Sequence, residues 1–242
     1  MRLDKFLVEM GLGSRTEVKA LLKKKLVMVN GKPESSPKRH IDPIEDQIDY
    51  QGKTLVYEAF LYYLLYKPAG VISATEDKEH RTVLDLLDEE ARHRRVFPVG
   101  RLDIDTEGLL LLTNNGQLAH DLLSPKKHVD KRYYADIDGI MTADDQKAFE
   151  AGIRLKDHQC LPARLDLLST NSEQQSSSVL ITIQEGKFHQ VKRMVRACGK
   201  EVTYLKRVAM GPLLLDEDLK KGEWRRLTAD EVLQLEKLAN IL

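Results

Sequence analysis

The stretch Gly100-Arg101-Leu102-Asp103-Ile104-Asp105-Thr106-Glu107-Gly108-Leu109-Leu110-Leu111-Leu112-Thr113-Asn114 constrains this chain more than any other. The apolar run Leu109 to Leu112, preceded by a glycine-bounded turn, predicts a buried strand that fixes that turn from behind. Asp103 then stands in the turn beside Arg101, rigidly held yet reachable, which is where an enzyme places a nucleophile. A plain charged turn between two core elements has the same composition, so the rest of the chain must decide.

With 242 residues, the chain can form one large domain or two domains of which one is small, and its 42% apolar content suffices for a core. No window approaches ~18 consecutive uncharged apolar residues, and Met1-Arg2-Leu3-Asp4-Lys5 does not begin an export signal, so a cytoplasmic location is expected with no membrane contact. Cys160 and Cys198 have no ligand spacing to each other or to His158 and His189, so no metal is expected. The net charge is zero but unevenly spread. Residues 1–40 carry ten Lys and Arg against four acids, and residues 41–59 carry five acids against Lys53 alone. Local clusters, not totals, set the field a polyanion meets.

Two short helices are expected at the start. Leu3, Phe6, Leu7 and Met10 recur at helical spacing, and Ser14 with Glu17 forms a capping box for a second helix. Val27-Met28-Val29 leads into Asn30-Gly31, a type I′ hairpin signal. Short strands are read at Ile48 to Tyr50 and at Leu55 to Tyr57. Residues 1–58 thus read as a small α+β module with its linker, and residues 59–242 as a second domain. There, strands are expected at Leu61 to Tyr66, Tyr133 to Ile137, Ala163 to Leu168 and Val179 to Ile183. Helices are expected near Val83 to Leu87, Ala143 to Gly152 and His189 to Cys198, with Ser169 to Ser178 a surface hairpin loop. Without regular βαβ alternation, this predicts an α+β fold with a mixed, largely antiparallel sheet.

Arg15, Lys19 and Lys23 recur at i, i+4 and i+8 on one helix face, near Arg2 and Lys5. Like charges so placed repel by a few tenths of a kcal/mol per pair, and RNA phosphate is the simplest reason to keep them together. A second basic stretch, Glu185 to Arg196, puts Lys187 at a strand-to-helix turn, where its ammonium can pair with a buried carboxylate. Lys192, Arg193 and Arg196 then project towards phosphates. His189 has no acid at a telling spacing and reads as structural or substrate-contacting.

The start, Arg2-Leu3-Asp4-Lys5 with Gly13-Ser14-Arg15 and Val27 to Gly31, resembles the S4 RNA-binding module. Lys67-Pro68-Ala69-Gly70, Gly100 to Gly108, Lys131-Arg132-Tyr133 and Glu185 to Met194 resemble the pseudouridine synthases, within them the family of the ribosomal small-subunit pseudouridine synthase A. The resemblance implies Asp103 as catalytic aspartate, Tyr133 as pocket tyrosine and Lys187 as the base paired to the aspartate. It also implies that Arg101 helps hold RNA with the target base flipped out. Tyr134 directly after Tyr133 departs from the pattern; strand neighbours face opposite sides, and the spacing to Lys131 favours Tyr133.

The implied reaction isomerises uridine without a cofactor, in agreement with the absence of dinucleotide and phosphate-binding loops. The implied partner is ribosomal RNA in a small-subunit assembly intermediate, with a monomeric enzyme and uridine 516 of 16S rRNA as target; a uridine of 23S rRNA is the alternative within the family. A non-catalytic S4-type assembly factor would not explain Asp103, Tyr133 and Lys187 together. An aspartate-nucleophile glycoside hydrolase would need a second carboxylate, for which Asp105 is the nearest candidate.

Overall fold

The computed structural model describes residues 1–239, and these fall into two compact units. The first comprises Met1–Leu61 with Leu87–Val96, the second Tyr62–Leu86 with Phe97–Leu242.

In the first unit, α1 (Leu3–Glu9) and α2 (Arg15–Lys23) form where the apolar spacing places them. The Ser14 side chain accepts from Glu17 N, and the Glu17 carboxylate accepts from Ser14 N at 2.7 Å. Strands β1 (Val27–Val29), β2 (Lys32–Glu34), β3 (Ile48–Tyr50) and β4 (Lys53–Thr54) make an antiparallel sheet in the order β2-β1-β3-β4. Asn30 and Gly31 both have positive φ, at 52° and 74°, as the hairpin requires. Leu3, Phe6, Leu7, Val18, Leu22 and Ile48 are among the residues that close the core. The strand expected at Leu55–Tyr57 is absent: Leu55 N still donates to Ile48 O, but the ladder ends at Thr54. Helix α3 (Glu89–His93) belongs to this unit although it lies beyond residue 58 in sequence; the Arg94 guanidinium after it bonds Glu58 O and Ala59 O and lies 4.6 Å over the Tyr57 ring.

The second unit is built on a nine-stranded sheet. Its strands are β5 (Tyr62–Lys67), β6 (Phe97–Pro98), β7 (Glu107–Thr113), β8 (Lys131–Asp138), β9 (Arg164–Asn171), β10 (Ser176–Ile183), β11 (Glu201–Met210), β12 (Leu213–Leu214) and β13 (Trp224–Arg226). The main order is β13-β5-β7-β11-β8-β10-β9. All seven residues of β7 are buried, as its leucine run requires. Among the described strands only β7 and β11 pair in parallel, with Glu107 opposite Lys206 and Gly108 opposite Arg207. A Cβ at Gly108 would stand 2.2 Å from the Arg207 carbonyl oxygen, so glycine is what lets the two backbones approach. Helices α4 (Gly116–Leu123) and α7 (Ala229–Ala239) contribute to the core around Leu64, Leu109 and Leu111. Helix α5 (Ala143–Ala151) packs against β9, and α6 (Gln190–Ala197) against β11. The fold is α+β with a mixed, mostly antiparallel sheet.

Two differences from the sequence reading concern this sheet. The segment Ser169–Ser178 is mostly strand, because β9 and β10 extend into it and leave a short turn at residues 172–175. Its polarity reflects the place of β9 at the sheet edge, where side chains stay in water. The long strand β11 has no counterpart in the sequence reading.

Candidate active site

The turn before β7 is fixed by a buried cation. Lys67, at the end of β5, is fully buried, and its ammonium donates to the carbonyl oxygens of Pro68 (3.0 Å), Asp103 (3.0 Å) and Thr106 (2.8 Å), with Ile104 O at 3.5 Å. Burial pushes the Lys67 ammonium down to about 8, against the pull of Asp103, Asp105 and Glu107. Ser73 both donates to Leu102 O and accepts from Leu102 N, at 3.0 Å each, and Gly70 N donates to Ile104 O. The backbone around Asp103 is therefore bonded from several sides, while its side chain keeps 29% exposure.

That carboxylate opens into a cleft of about 800 Å³, lined among others by Arg101, Asp103, Tyr133, Lys187, Phe188 and His189. Tyr133 reaches it from β8. Tyr134 takes the other face, where its hydroxyl donates to Asp136 at 2.6 Å; that bond raises the Tyr134 phenol above its ordinary range. Alternation along β8 separates the two, so Tyr133 is the tyrosine in the cleft.

The cation beside Asp103 is not the expected one. Lys192 Nζ lies 3.6 Å from Asp103 Oδ2 and 2.6 Å from Asp105 Oδ1, and His189 Nε2 lies 3.6 Å from Asp103 Oδ1. Among the described residues no ion pair joins Lys187 to Asp103. Lys187 stands exposed at the cleft wall, with its backbone N–H bonded to Gln190 Oε1 at 2.9 Å. The reason is local geometry: His189 caps α6 in the left-handed region (φ 49°, ψ 34°), which turns the first helical residues towards the aspartate and leaves Lys187 before the turn. The hydrogen bond from Lys192 holds the Asp105 carboxyl below its usual range, so Asp105 is part of this charge cluster and not merely a turn residue. His189 and Lys192, spaced i and i+3, were the available sequence signal for two groups on one helix face.

The remaining expected contacts divide. Arg15, Lys19 and Lys23 are exposed on α2. Arg2 is engaged by Asp4, and Lys5 lies 3.6 Å from Glu9. Arg193 is taken up by Asp157 and by Phe188 O, so it braces the turn and does not point freely to solvent. Glu107 accepts from Tyr204 at 2.7 Å and pairs with Lys221 at 2.8 Å.

His158, Cys160 and Glu185, without ligand spacing in sequence, bring their potential ligand atoms within 4.8 Å of one another. Glu185 is already engaged: Leu161 N (2.9 Å), Gln190 Nε2 (2.8 Å) and His158 Nε2 (2.8 Å) surround its carboxylate. Burial pushes that carboxyl upward, but these bonds outweigh it and hold it below its ordinary value. Through Gln190 the same carboxylate anchors the turn that presents Lys187 and His189.

An aspartate in an open cleft, a tyrosine ring beside it and a lysine ammonium against it define a site for base or nucleophile chemistry. Residues 61–197 match the RNA pseudouridylate synthases, and residues 1–48 match the S4 domain. An uncharacterized RNA pseudouridine synthase of Bacillus subtilis (strain 168), YtzG, is 46% identical over 96% of this chain and 97% of its own. Ribosomal large subunit pseudouridine synthase B of the same organism is 41% identical, over 99% and 97% of the two chains. Ribosomal small subunit pseudouridine synthase A of Yersinia pestis is 38% identical, over 96% and 97%. The chain belongs to the RNA pseudouridylate synthase family and is an RNA pseudouridine synthase with an N-terminal S4 domain.

Proposed function

We propose that this enzyme converts a uridine of ribosomal RNA to pseudouridine, that the uridine is position 516 of 16S rRNA, and that the substrate is a partly assembled small subunit. The observation that carries the chemistry is the Asp103 carboxylate, held by its backbone in an open cleft, between Tyr133 and the Lys192 ammonium. Asp103 acts ionised, as a nucleophile at C1′ or as a base at C2′. Lys192, 3.6 Å from Asp103 Oδ2, sets a positive charge against that carboxylate. The C1′–N1 bond breaks, the uracil turns, C5 bonds to C1′, and the C5 proton leaves as N1 gains one. Tyr133 packs on the flipped uracil and assists removal of that proton. Arg101 and Lys187, exposed at the cleft wall, meet phosphates.

We take residues 1–58 as the RNA-reading module, through Arg15, Lys19 and Lys23, and residues 59–242 as the catalytic part, working as a cytoplasmic monomer. Two linked contacts with one folded RNA raise affinity by a factor of roughly 10² to 10⁴ when the geometry suits both. Among the described residues no helix is long and apolar enough to cross a membrane. A 23S target is the second reading, favoured by the 41% identity to the large-subunit enzyme. Initial rates on a short oligonucleotide, naked 16S rRNA, an assembly intermediate, the mature subunit and 23S rRNA test the assignment. Faster conversion of 23S rRNA overturns the 16S target, and equal rates on oligonucleotide and intermediate overturn the two-contact argument. Asp103→Asn, which keeps volume and removes charge, should abolish turnover with RNA affinity within a few-fold; appreciable turnover would refute the role of Asp103.

A further inference from the structure

Two cations in the cleft have no part in the chemistry above. Lys131, on β8, is 6% exposed and Arg207, on β11, is 2% exposed, and both line the same cleft as Asp103. Lys131 and Tyr133 are i and i+2 on β8, and Arg207 lies directly opposite Tyr133 across the β8–β11 ladder, so all three share one face.

Neither cation has an acid within ion-pair distance among the described residues. Lys131 Nζ donates to Val129 O at 2.8 Å, and Arg207 Nε donates to Leu109 O at 2.8 Å. Arg207 Nη2 is buried with no hydrogen-bond partner at all. Burial and the nearby charge of Arg207 push the Lys131 ammonium down to about 8, with Asp130 opposing. A buried guanidinium nitrogen without a partner is left with its desolvation uncompensated, and two like charges in one wall add to that. Structural lysines in this protein look different: Lys67 is surrounded by carbonyl oxygens. What Lys131 and Arg207 lack is an anion with several acceptor oxygens, and both residues line the cleft from which one would come.

We propose that Lys131 and Arg207 form a phosphate site that grips a backbone phosphodiester of the substrate RNA next to the flipped uridine. A phosphodiester presents two free oxygens, enough to satisfy both Nη2 and Nζ. Holding the strand from the floor of the cleft on the Tyr133 side fixes the ribose relative to Asp103. The exposed apolar residues Ile104, Leu123 and Phe188 at the same cleft suit neighbouring bases rather than phosphates. This inference rests on the reading of the cleft as the isomerisation site.

The test uses the full-length protein and an rRNA fragment that the wild type converts to pseudouridine, in versions with a neutral methylphosphonate at each phosphodiester flanking the uridine. One position should weaken wild-type binding about tenfold. With Arg207→Gln that position should cease to matter, and the slope of log K against log salt should become shallower by about 0.7–0.9, the value of one phosphate contact. Lys131→Arg should retain the position-specific effect. Independent, additive losses from RNA and protein changes would overturn the proposal. If Arg207→Gln does not fold, as judged by its melting curve, the wild-type series still decides: no position weakening binding more than twofold refutes the site. A wild type that forms no pseudouridine on any RNA would instead defeat the functional reading, which separates the two failures.

Discussion

Replacing Lys67 by Met tests what fixes the catalytic turn. Met fills a similar volume and cannot donate, so the carbonyl oxygens of Pro68, Asp103 and Thr106, all within 3.0 Å of the ammonium, lose their partner. Each stranded buried acceptor costs about 1–3 kcal/mol. Against this stands the burial cost of the ammonium itself; its displacement from 10.5 to about 8 corresponds to about 3 kcal/mol. The three acceptors together cost about 3–9 kcal/mol, so the net loss of stability is about 0–6 kcal/mol, centred near 3. With a urea dependence of about 2 kcal/mol per molar, the unfolding midpoint should fall by about 1.5 M. Trp224, the single tryptophan, pairs through β13 with Leu65 on β5 and packs on Tyr63 at 5.1 Å, so its fluorescence follows the sheet that carries Lys67. Turnover should fall further than stability alone explains, because the turn bearing Asp103 loosens. A midpoint within 0.3 M of wild type, with kcat/KM within twofold, would refute this account.

Lys192→Met should cut kcat at neutral pH by two orders of magnitude or more, because Asp103 loses its nearest ammonium, whereas Lys187→Met should act mainly on RNA affinity. Equal kcat losses from both, measured under saturating RNA, would show that the 3.6 Å contact has no special part in turnover. Lys67 also predicts a pH dependence: its folded-state value of about 8 lies below the unfolded value, so between about pH 8 and 10.5 the unfolded chain holds the extra proton. Unfolding free energy of the wild type should therefore rise relative to Lys67→Met across that window, by about 1–3 kcal/mol, and a flat difference in urea titrations would contradict the assigned burial. Changing Arg15, Lys19 and Lys23 together to Gln should weaken rRNA binding and make its salt dependence shallower, with little effect on melting because all three are exposed. An unchanged salt slope would mean that α2 does not touch phosphate.

Where local chemistry decides, the sequence was legible. The Ser14–Glu17 box, the Asn30-Gly31 turn and the leucine run of β7 each satisfy a constraint contained within a few residues. Strand β11 was not legible because its ladder shifts register between Val202 and Tyr204 and again between Arg207 and Ala209, which breaks the alternation a strand is read by. Its buried Arg207 looks like a surface residue in sequence. The site was legible in its residue types but not in its pairing. Lys187 and Lys192 are both basic and five positions apart, on either side of the left-handed backbone at His189, and it is Lys192 that lies against Asp103. The pairing of Arg193 was not legible for a related reason, since its partner Asp157 comes from a distant loop.

The parallel seam between β7 and β11 has a kinetic consequence. It divides the large sheet into a part with β13, β5, β6 and β7 and a part with β8 to β12. Asp103 hangs from the first part, while Tyr133, Lys192 and Arg207 belong to the second. The strands β9 and β10 pair as neighbours in sequence, whereas the seam joins distant segments, as with Leu109 and Arg207, 98 residues apart. Closing so long a loop is slow relative to local pairing. The catalytic groups thus come together only when the seam closes, so recovery of activity on refolding reports that long-range step, and any side chain at Gly108 obstructs it directly.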